Sequence, residues 1–238
     1  MADGQDHGGA MAAVIDPQES LAAIRTLTAA ALAGMPTGEP AFDCLGVVAR
    51  ECGITARMAE DVIEGFALDA ADWHPRRESD LYQYCYHVAG AVGVMMAVVM
   101  GVPADDDATL DRACDLGLAF QLANIARDIA EDDAAGRCYL PDDWLAMLDI
   151  APGEHMKPHN RKKLALMGRW LADEAEQYEA SARVGAAHLP LRARWAVLSA
   201  AGIYGEIARK VRAADSHAWD QRIFTSRPEK FRWVRKAF

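Results

Sequence analysis

Apolar residues recur every three to four positions along almost the whole chain, the spacing of amphipathic α-helices, while alternating runs of Val, Ile and Thr that would mark strands are absent. The pattern predicts helices over residues 17–34, 40–51, 54–70, 78–101, 107–132, 142–148, 158–185, 190–214 and 227–236. Proline and glycine punctuate the gaps, at Pro36-Thr37-Gly38, Gly53, Pro75, Gly101-Val102-Pro103, Gly136, Pro141, Pro152-Gly153, Pro190 and Pro228. The fold class is therefore all-α. No internal repeat, low-complexity tract or linker interrupts the pattern, so residues 1–238 read as one helical domain.

The longest apolar run, VAGAVGVMMAVVMGV at 88–102, falls short of the about 20 residues that cross a bilayer and reads as a buried helix. The opening MADGQDHGGAMAAVIDPQES lacks the basic and apolar stretches of a secretory signal. With 238 residues, 52% of them hydrophobic and 25% charged, the chain can bury a substantial core. Its formal net charge of -10 opposes binding to nucleic acid and means that an anionic ligand would need a cation to mediate it. Five cysteines, at 44, 52, 85, 114 and 138, form no CxxC pair and read as reduced thiols of a cytoplasmic protein.

Candidate chemistry concentrates in QLANIARDIAEDDAAGRCYLP, residues 121–141. On a helix turning about 100° per residue, Gln121, Asn124, Asp128 and Asp132 fall within a sector of roughly 80°. Asp128 and Asp132, one turn apart, can share a hard cation such as Mg²⁺, which takes oxygen ligands and is commonly completed by water and phosphate. A solvated helix end is the competing explanation. Two features oppose it: carboxylates in the last turn work against the helix dipole, and amides on a face that the Phe120–Ile125 stretch would bury need partners. The same spacing at Asp107 and Asp111 opens a helix instead, where acids cap and complement the dipole.

A second unusual segment is YCYHVAGAVGVMMAVVMG, residues 84–101. Tyr84, Val88, Ala91 and Met95 form one stripe of a regular helix, and the glycines among them each cost about 1 kcal/mol relative to alanine. Close helix packing would offset that cost, as would room for a long apolar ligand. His155 and His159 have zinc-like spacing, but Pro158 disrupts the helix that would align them. No GxGxxG, P-loop or GxSxG motif occurs. The C-terminal RPEKFRWVRKAF sets five cations among aromatic and aliphatic residues. It reads either as a final helix that docks Phe231 and Val234 on the core, or as a peripheral contact with an anionic membrane.

At the two unusual segments the sequence resembles the squalene/phytoene synthase family, its bacterial phytoene-forming members in particular. YCYHVAGAVGVMMAVV and LGLAFQLANIARDIAEDDAAGRCYLP, residues 116–141, match its two signatures, and the similarity runs from about 40 to 230 through VIEGFALDA, IYGEIARKV and AWDQRI. The resemblance implies an isoprenoid (terpenoid) synthase helical bundle around a central cavity. It also implies a Mg²⁺-dependent prenyltransferase, with Mn²⁺ as the alternative ion, joining two geranylgeranyl diphosphates head to head through a cyclopropyl diphosphate to phytoene, in carotenoid biosynthesis. Farnesyl diphosphate is the alternative substrate, and a non-catalytic helical partner that binds prenyl diphosphate is the alternative function.

Residue by residue, the resemblance makes Asp128 and Asp132 metal ligands, with Gln121 and Asn124 on the same face, and Arg127 a diphosphate contact. Tyr84 would assist proton transfer or stabilise the carbocation, and Val88, Ala89 and Gly93 would line the prenyl channel. Tyr204 and Arg222 would lie near the diphosphates, and Asp69 would belong to the site. Asp3 matches the last aspartate of a first Asp-rich motif and would be a further metal ligand. The chain therefore reads as N-terminally incomplete, lacking that motif's earlier part and the helices before it, and its activity is expected to be low.

Overall fold

A computed structural model describes residues 16–71 and 73–238. Helices dominate, and among the described residues there is no strand. The described residues fall into two compact units, one ending at Trp73 and one spanning His74–Phe238.

In the first unit α1 (Pro17–Leu32) packs on α2 (Pro40–Cys52) and α3 (Ala56–Ala70). Asp16 caps α1 by accepting the Gln18 amide, and Pro17 supplies a first helical residue that needs no donor. α2 ends at Gly53, whose φ of 83° is the left-handed conformation that glycine adopts without a Cβ penalty. Arg25 of α1 reaches across to Glu60, at 3.0 Å, and to Glu64 of α3.

The second unit is built around α6 (Asp107–Ala134). Small and apolar residues lie on several sides of its middle, among them Gly117, Leu118, Leu122, Ala123, Ile125, Ala126 and Ile129, all buried. A helix with so little polar surface must be surrounded. It is enclosed by α8 (Arg161–Gly185), α9 (Leu191–Ala214) and the segment from α4 (Glu78–Cys85) to α5 (Ala91–Val99). α7 (Asp142–Met147) adds Trp144 and Leu145 to the core, and α10 (Arg227–Lys236) lies on α9. Asp106 caps α6 by accepting the Thr109 amide, the capping role expected of the acids that open this helix.

The predicted helix boundaries hold within a few residues, with one internal difference. The helix expected over 78–101 is interrupted by a π-turn at Tyr86–Gly90, closed by the Ala91 amide donating to the Tyr86 carbonyl. This extra residue turns Ala91 and Met95 about 100° off the stripe that Tyr84 would share with them in a regular helix. The turn brings Gly90 and Gly93 onto α6. A Cβ at Gly90 would meet Leu118 Cδ1 at 2.7 Å and Cys114 Sγ at 2.8 Å, and one at Gly93 would press on the Ala113 carbonyl. Gly117 faces the Ala89 carbonyl in the same way. Of the two explanations for these glycines, close helix packing is the one the contacts provide.

Candidate active site

The last turns of α6 carry the predicted face. Arg127 holds the Asp128 carboxylate on both oxygens: Nε donates to Oδ1 at 2.7 Å and Nη2 donates to Oδ2. The bonds to Asp128 push the Arg127 pKa above its ordinary value, so the guanidinium is permanently charged. Arg222 comes from the segment between α9 and α10, its Nη2 3.0 Å from Asp128 Oδ1 and its Nε 3.8 Å from Glu131 Oε1. Two cations and two acids thus converge where the helix dipole favours positive charge.

Arg222 is held in place indirectly. Trp219 donates its indole N–H to the Ala126 carbonyl at 3.0 Å, and its ring fills the space left by Gly168 of α8. Arg161 bonds the Ser216 carbonyl and the Asp220 carboxylate. Thr225 donates to the Ile203 carbonyl at 2.8 Å. The segment is therefore fixed to α6, α8 and α9 on either side of Arg222.

Asp132, one turn beyond Asp128, sits in a small recess with Ile125, Ile129, Arg137, Cys138, Tyr139, Leu140 and His155. Burial raises its pKa to about 6, with repulsion from Asp128 as the next cause. Asn124, on the same face, has its side-chain carbonyl oxygen buried with no hydrogen-bond partner among the described residues. The carboxylates and the Asn124 carbonyl are oxygen donors of the kind Mg²⁺ or Mn²⁺ takes, and burial keeps the neighbouring Cys138 thiol protonated. No group of three or more His, Cys, Asp or Glu is arranged among the described residues to hold an ion unaided. A cation here would take its remaining ligands from water and phosphate, as Mg²⁺ commonly does.

Tyr84 is 4% exposed and stacks on Tyr139, with ring centroids 5.1 Å apart. Since Tyr139 also lines the Asp132 recess, the two signature segments meet through this aromatic pair. Tyr204 stacks on Phe120 of α6, with ring centroids 4.3 Å apart. Gln121, Val88 and Ala89 are half-buried, and Gly93 lies against α6. Asp69 is exposed in the last turn of α3, in the other unit. Asp3 lies outside the described residues.

Several participants escape a reading of spacing alone. Tyr139 and Arg137 were visible only as part of the RCYLP end of the signature. His155, dismissed as a zinc ligand, is 3% exposed, with Nε2 3.3 Å from Asp133 Oδ1, and burial lowers its pKa. It helps wall the recess. His159 is exposed, its Nε2 4.0 Å from Glu154.

This architecture, a central helix ending in paired aspartates and flanked by arginines within an all-helical bundle, is that of an isoprenoid synthase. The profile of the squalene/phytoene synthase family matches residues 2–229, and the chain belongs to that family. It is 48% identical over 230 residues to a phytoene synthase of Pseudescherichia vulneris, covering 96% of this chain and 74% of that one. Identity to a 15-cis-phytoene synthase of Pantoea ananas is also 48%, over 214 residues that make up 90% of this chain and 69% of that one. Among solved structures, a dehydrosqualene synthase in complex with ligand superposes with a TM-score of 0.82 at 28% identity, covering 92% of this chain and 77% of that one. A squalene synthase from Alicyclobacillus acidocaldarius shares the fold, with a TM-score of 0.76 at 22% identity over 87% of this chain and 77% of that one.

Proposed function

We propose that the chain is a phytoene synthase, a prenyltransferase that joins two geranylgeranyl diphosphates head to head through a cyclopropyl diphosphate. The observation that carries this reading is the Asp128–Asp132 face between Arg127 and Arg222, in a chain 48% identical to named phytoene synthases.

Asp128 and Asp132 would hold Mg²⁺, with the Asn124 carbonyl as a nearby oxygen donor. When bound, the ion neutralises charge building on the departing diphosphate. Arg127 and Arg222 act on the same charge: both are available to turn from Asp128 toward diphosphate oxygens, where guanidinium gives two parallel hydrogen bonds. Such fixed positive groups stabilise the leaving group more as its bond breaks than before, which is the condition for raising the rate.

Tyr84 belongs to the apolar side of the site. Its face is stacked on Tyr139, and electron-rich ring faces stabilise a nearby carbocation as they do other cations. The phenol oxygen is the group suited to proton transfer. Val88 and Ala89, which follow Tyr84 through the π-turn, would line the prenyl chain, and Gln121 and Tyr204 would border the diphosphate. Exclusion of water by these side chains keeps the cation from being captured before the second bond forms. Asp69 and Asp3 are proposed members of the same site on the family resemblance alone. The cytoplasm is the proposed location, as the reduced cysteines expected from the sequence suggest; no helix among the described residues is long and apolar enough to cross a membrane.

Incubating the chain with Mg²⁺ and either geranylgeranyl or farnesyl diphosphate, and resolving the hydrocarbon products, tests the proposal. Phytoene formed from the C20 substrate, at the low rate expected from the sequence, and lost on adding a chelator, is the expected result. Product from farnesyl diphosphate alone would overturn the substrate assignment, and diphosphate bound but never released would overturn the catalytic one.

A further inference from the structure

The segment between α7 and α8 buries a histidine beside the paired aspartates. His155 is 3% exposed and lines the recess that also holds Asp132. It is held there because its segment is stitched from within. Asn160, itself 3% exposed, donates its side-chain amide to the Glu154 carbonyl at 2.9 Å, and the Lys157 amide donates to the same carbonyl at 3.0 Å. Met156, the next residue, packs against the core of the second unit.

The two ring nitrogens have different surroundings. Nε2 lies 3.3 Å from Asp133 Oδ1, and a carboxylate there can only accept, so the ring proton belongs on Nε2. Burial lowers the pKa of His155, which keeps the ring neutral. Nδ1 is then a lone-pair acceptor, buried and with no hydrogen-bond partner among the described residues. A buried acceptor left unmatched costs stability that a phenylalanine or leucine in the same space would not, so filling volume does not account for an imidazole here. The recess has room for about one water molecule and brings a second acceptor, the Asp132 carboxylate, to its wall. Cys138, a weak donor nearby, is turned to the Leu140 carbonyl, 3.9 Å from Sγ. Two acceptors on one water-sized space need a molecule that donates twice, as water does.

We propose that His155 is a positioning residue for Asp132: Nδ1 accepts one hydrogen of a water in the recess, the water donates its other hydrogen to the Asp132 carboxylate, and Asp133 fixes the ring by accepting from Nε2–H. One oxygen of Asp132 is thereby tied to the recess, and the other is left for a cation. Ligating carboxylates are commonly oriented by hydrogen bonds from behind, and losing such a partner lowers metal affinity by about 10–100-fold. The inference rests on the proposed metal role of Asp132 and is independent of which prenyl diphosphate is condensed.

The two ends of the ring can be deleted separately. Asparagine places an amide oxygen close to the position of Nδ1 and reaches no further, whereas glutamine reaches the position of Nε2 and offers nothing at Nδ1. Mn²⁺ is titrated into the purified chain, with the free ion read by electron paramagnetic resonance. Binding to His155→Asn is expected within about threefold of the parent, and binding to His155→Gln about 10-fold weaker or more. His155→Phe, which fills the space, should behave as His155→Gln, with its helical circular dichroism unchanged. Affinity retained by Gln and lost by Asn would overturn the proposal, as would affinity that merely follows the melting temperature across the variants. Asp132→Asn is the control. If it abolishes Mn²⁺ binding while every His155 variant binds like the parent, Asp132 keeps its metal role and His155 loses its own. If Asp132→Asn binds like the parent, the metal role of Asp132 falls and takes this inference with it. A crystal structure that resolves ordered waters supplies a check that needs no metal: a water about 3 Å from both Nδ1 and the Asp132 carboxylate is expected, and a dry recess would overturn the proposal.

Discussion

Arg222 lies 3.0 Å from Asp128, so a residue beyond α9 completes the charge balance of a carboxylate on α6. The contact joins two stretches that are far apart in sequence and makes the arginine proposed to meet diphosphate a partner of the aspartate proposed to hold the metal. One group can be moved only by disturbing the other.

Replacing Asp128 by Asn keeps the side-chain shape and removes the charge that Arg127 and Arg222 share. Turnover of geranylgeranyl diphosphate is expected to fall by about 100-fold or more, the scale on which loss of a group stabilising developing charge is felt. Stability should change little, because the repulsion between Asp128 and Asp132 disappears along with the ion pairs. Steady-state rates against Mg²⁺ concentration provide the check; a rate within tenfold of the parent would remove Asp128 from the metal site.

Asp132 gives the ion-free protein a pH signature. Its folded pKa of about 6 exceeds the ordinary value of 3.8, so between these two values the folded chain binds the extra proton. Stability therefore falls as pH rises through this window and stays reduced above it, by about 1–2 kcal/mol after allowance for solvent screening. Urea denaturation of the parent and Asp132→Asn at a series of pH values should show the variant gaining on the parent from about pH 4 to pH 6. Mg²⁺ should narrow the gap at neutral pH. A difference between the two that is flat with pH would contradict the burial of this carboxylate.

Trp219 is expected to act through Arg222. Trp219→Phe retains a ring against Gly168 and deletes the indole hydrogen bond to Ala126, at a stability cost of about 1 kcal/mol. Freed from that tie, Arg222 should be less well placed for diphosphate. KM should rise several-fold while the melting temperature moves by only a few degrees. A fall in melting temperature with KM unchanged would reduce Trp219 to a packing residue.

Gly117→Ala tests how closely α6 approaches the π-turn. A Cβ there would run into the backbone carbonyl of Ala89, which cannot rotate away as a side chain could. Overpacking of this kind costs about 1–3 kcal/mol, and the urea midpoint should drop accordingly. Since the displaced backbone follows Tyr84 and Val88, activity should decline beyond what the unfolded fraction explains. An unchanged midpoint would show that the two helices can part without penalty.

Much of this was legible beforehand. Periodicity located α6 and α8 to within about three residues because their apolar spacing is long and bounded by proline and glycine, and the 128–132 repeat marked a shared face because helix geometry alone places those side chains together. Three features were hidden, each for a tertiary reason. The π-turn leaves helical composition intact on both sides, so no local signal announces it. Trp233 rather than Phe231 anchors α10 because glycine happens to occupy position 202 on another helix. Tyr139 and His155 join the recess from stretches outside the long helices, and nothing in their own surroundings says which carboxylate they will face.

The π-turn has a mechanical consequence. In an unbroken helix, a slide or twist of α5 along α6 would be delivered rigidly to every residue upstream, Tyr84 included. At Tyr86–Gly90 the i→i−5 bonding is wider and more easily redistributed between neighbouring carbonyls than regular helix bonding. The turn can therefore behave as a clutch: substitutions that refit α5 to α6 leave the aim of the tyrosine stacked on Tyr139 unchanged.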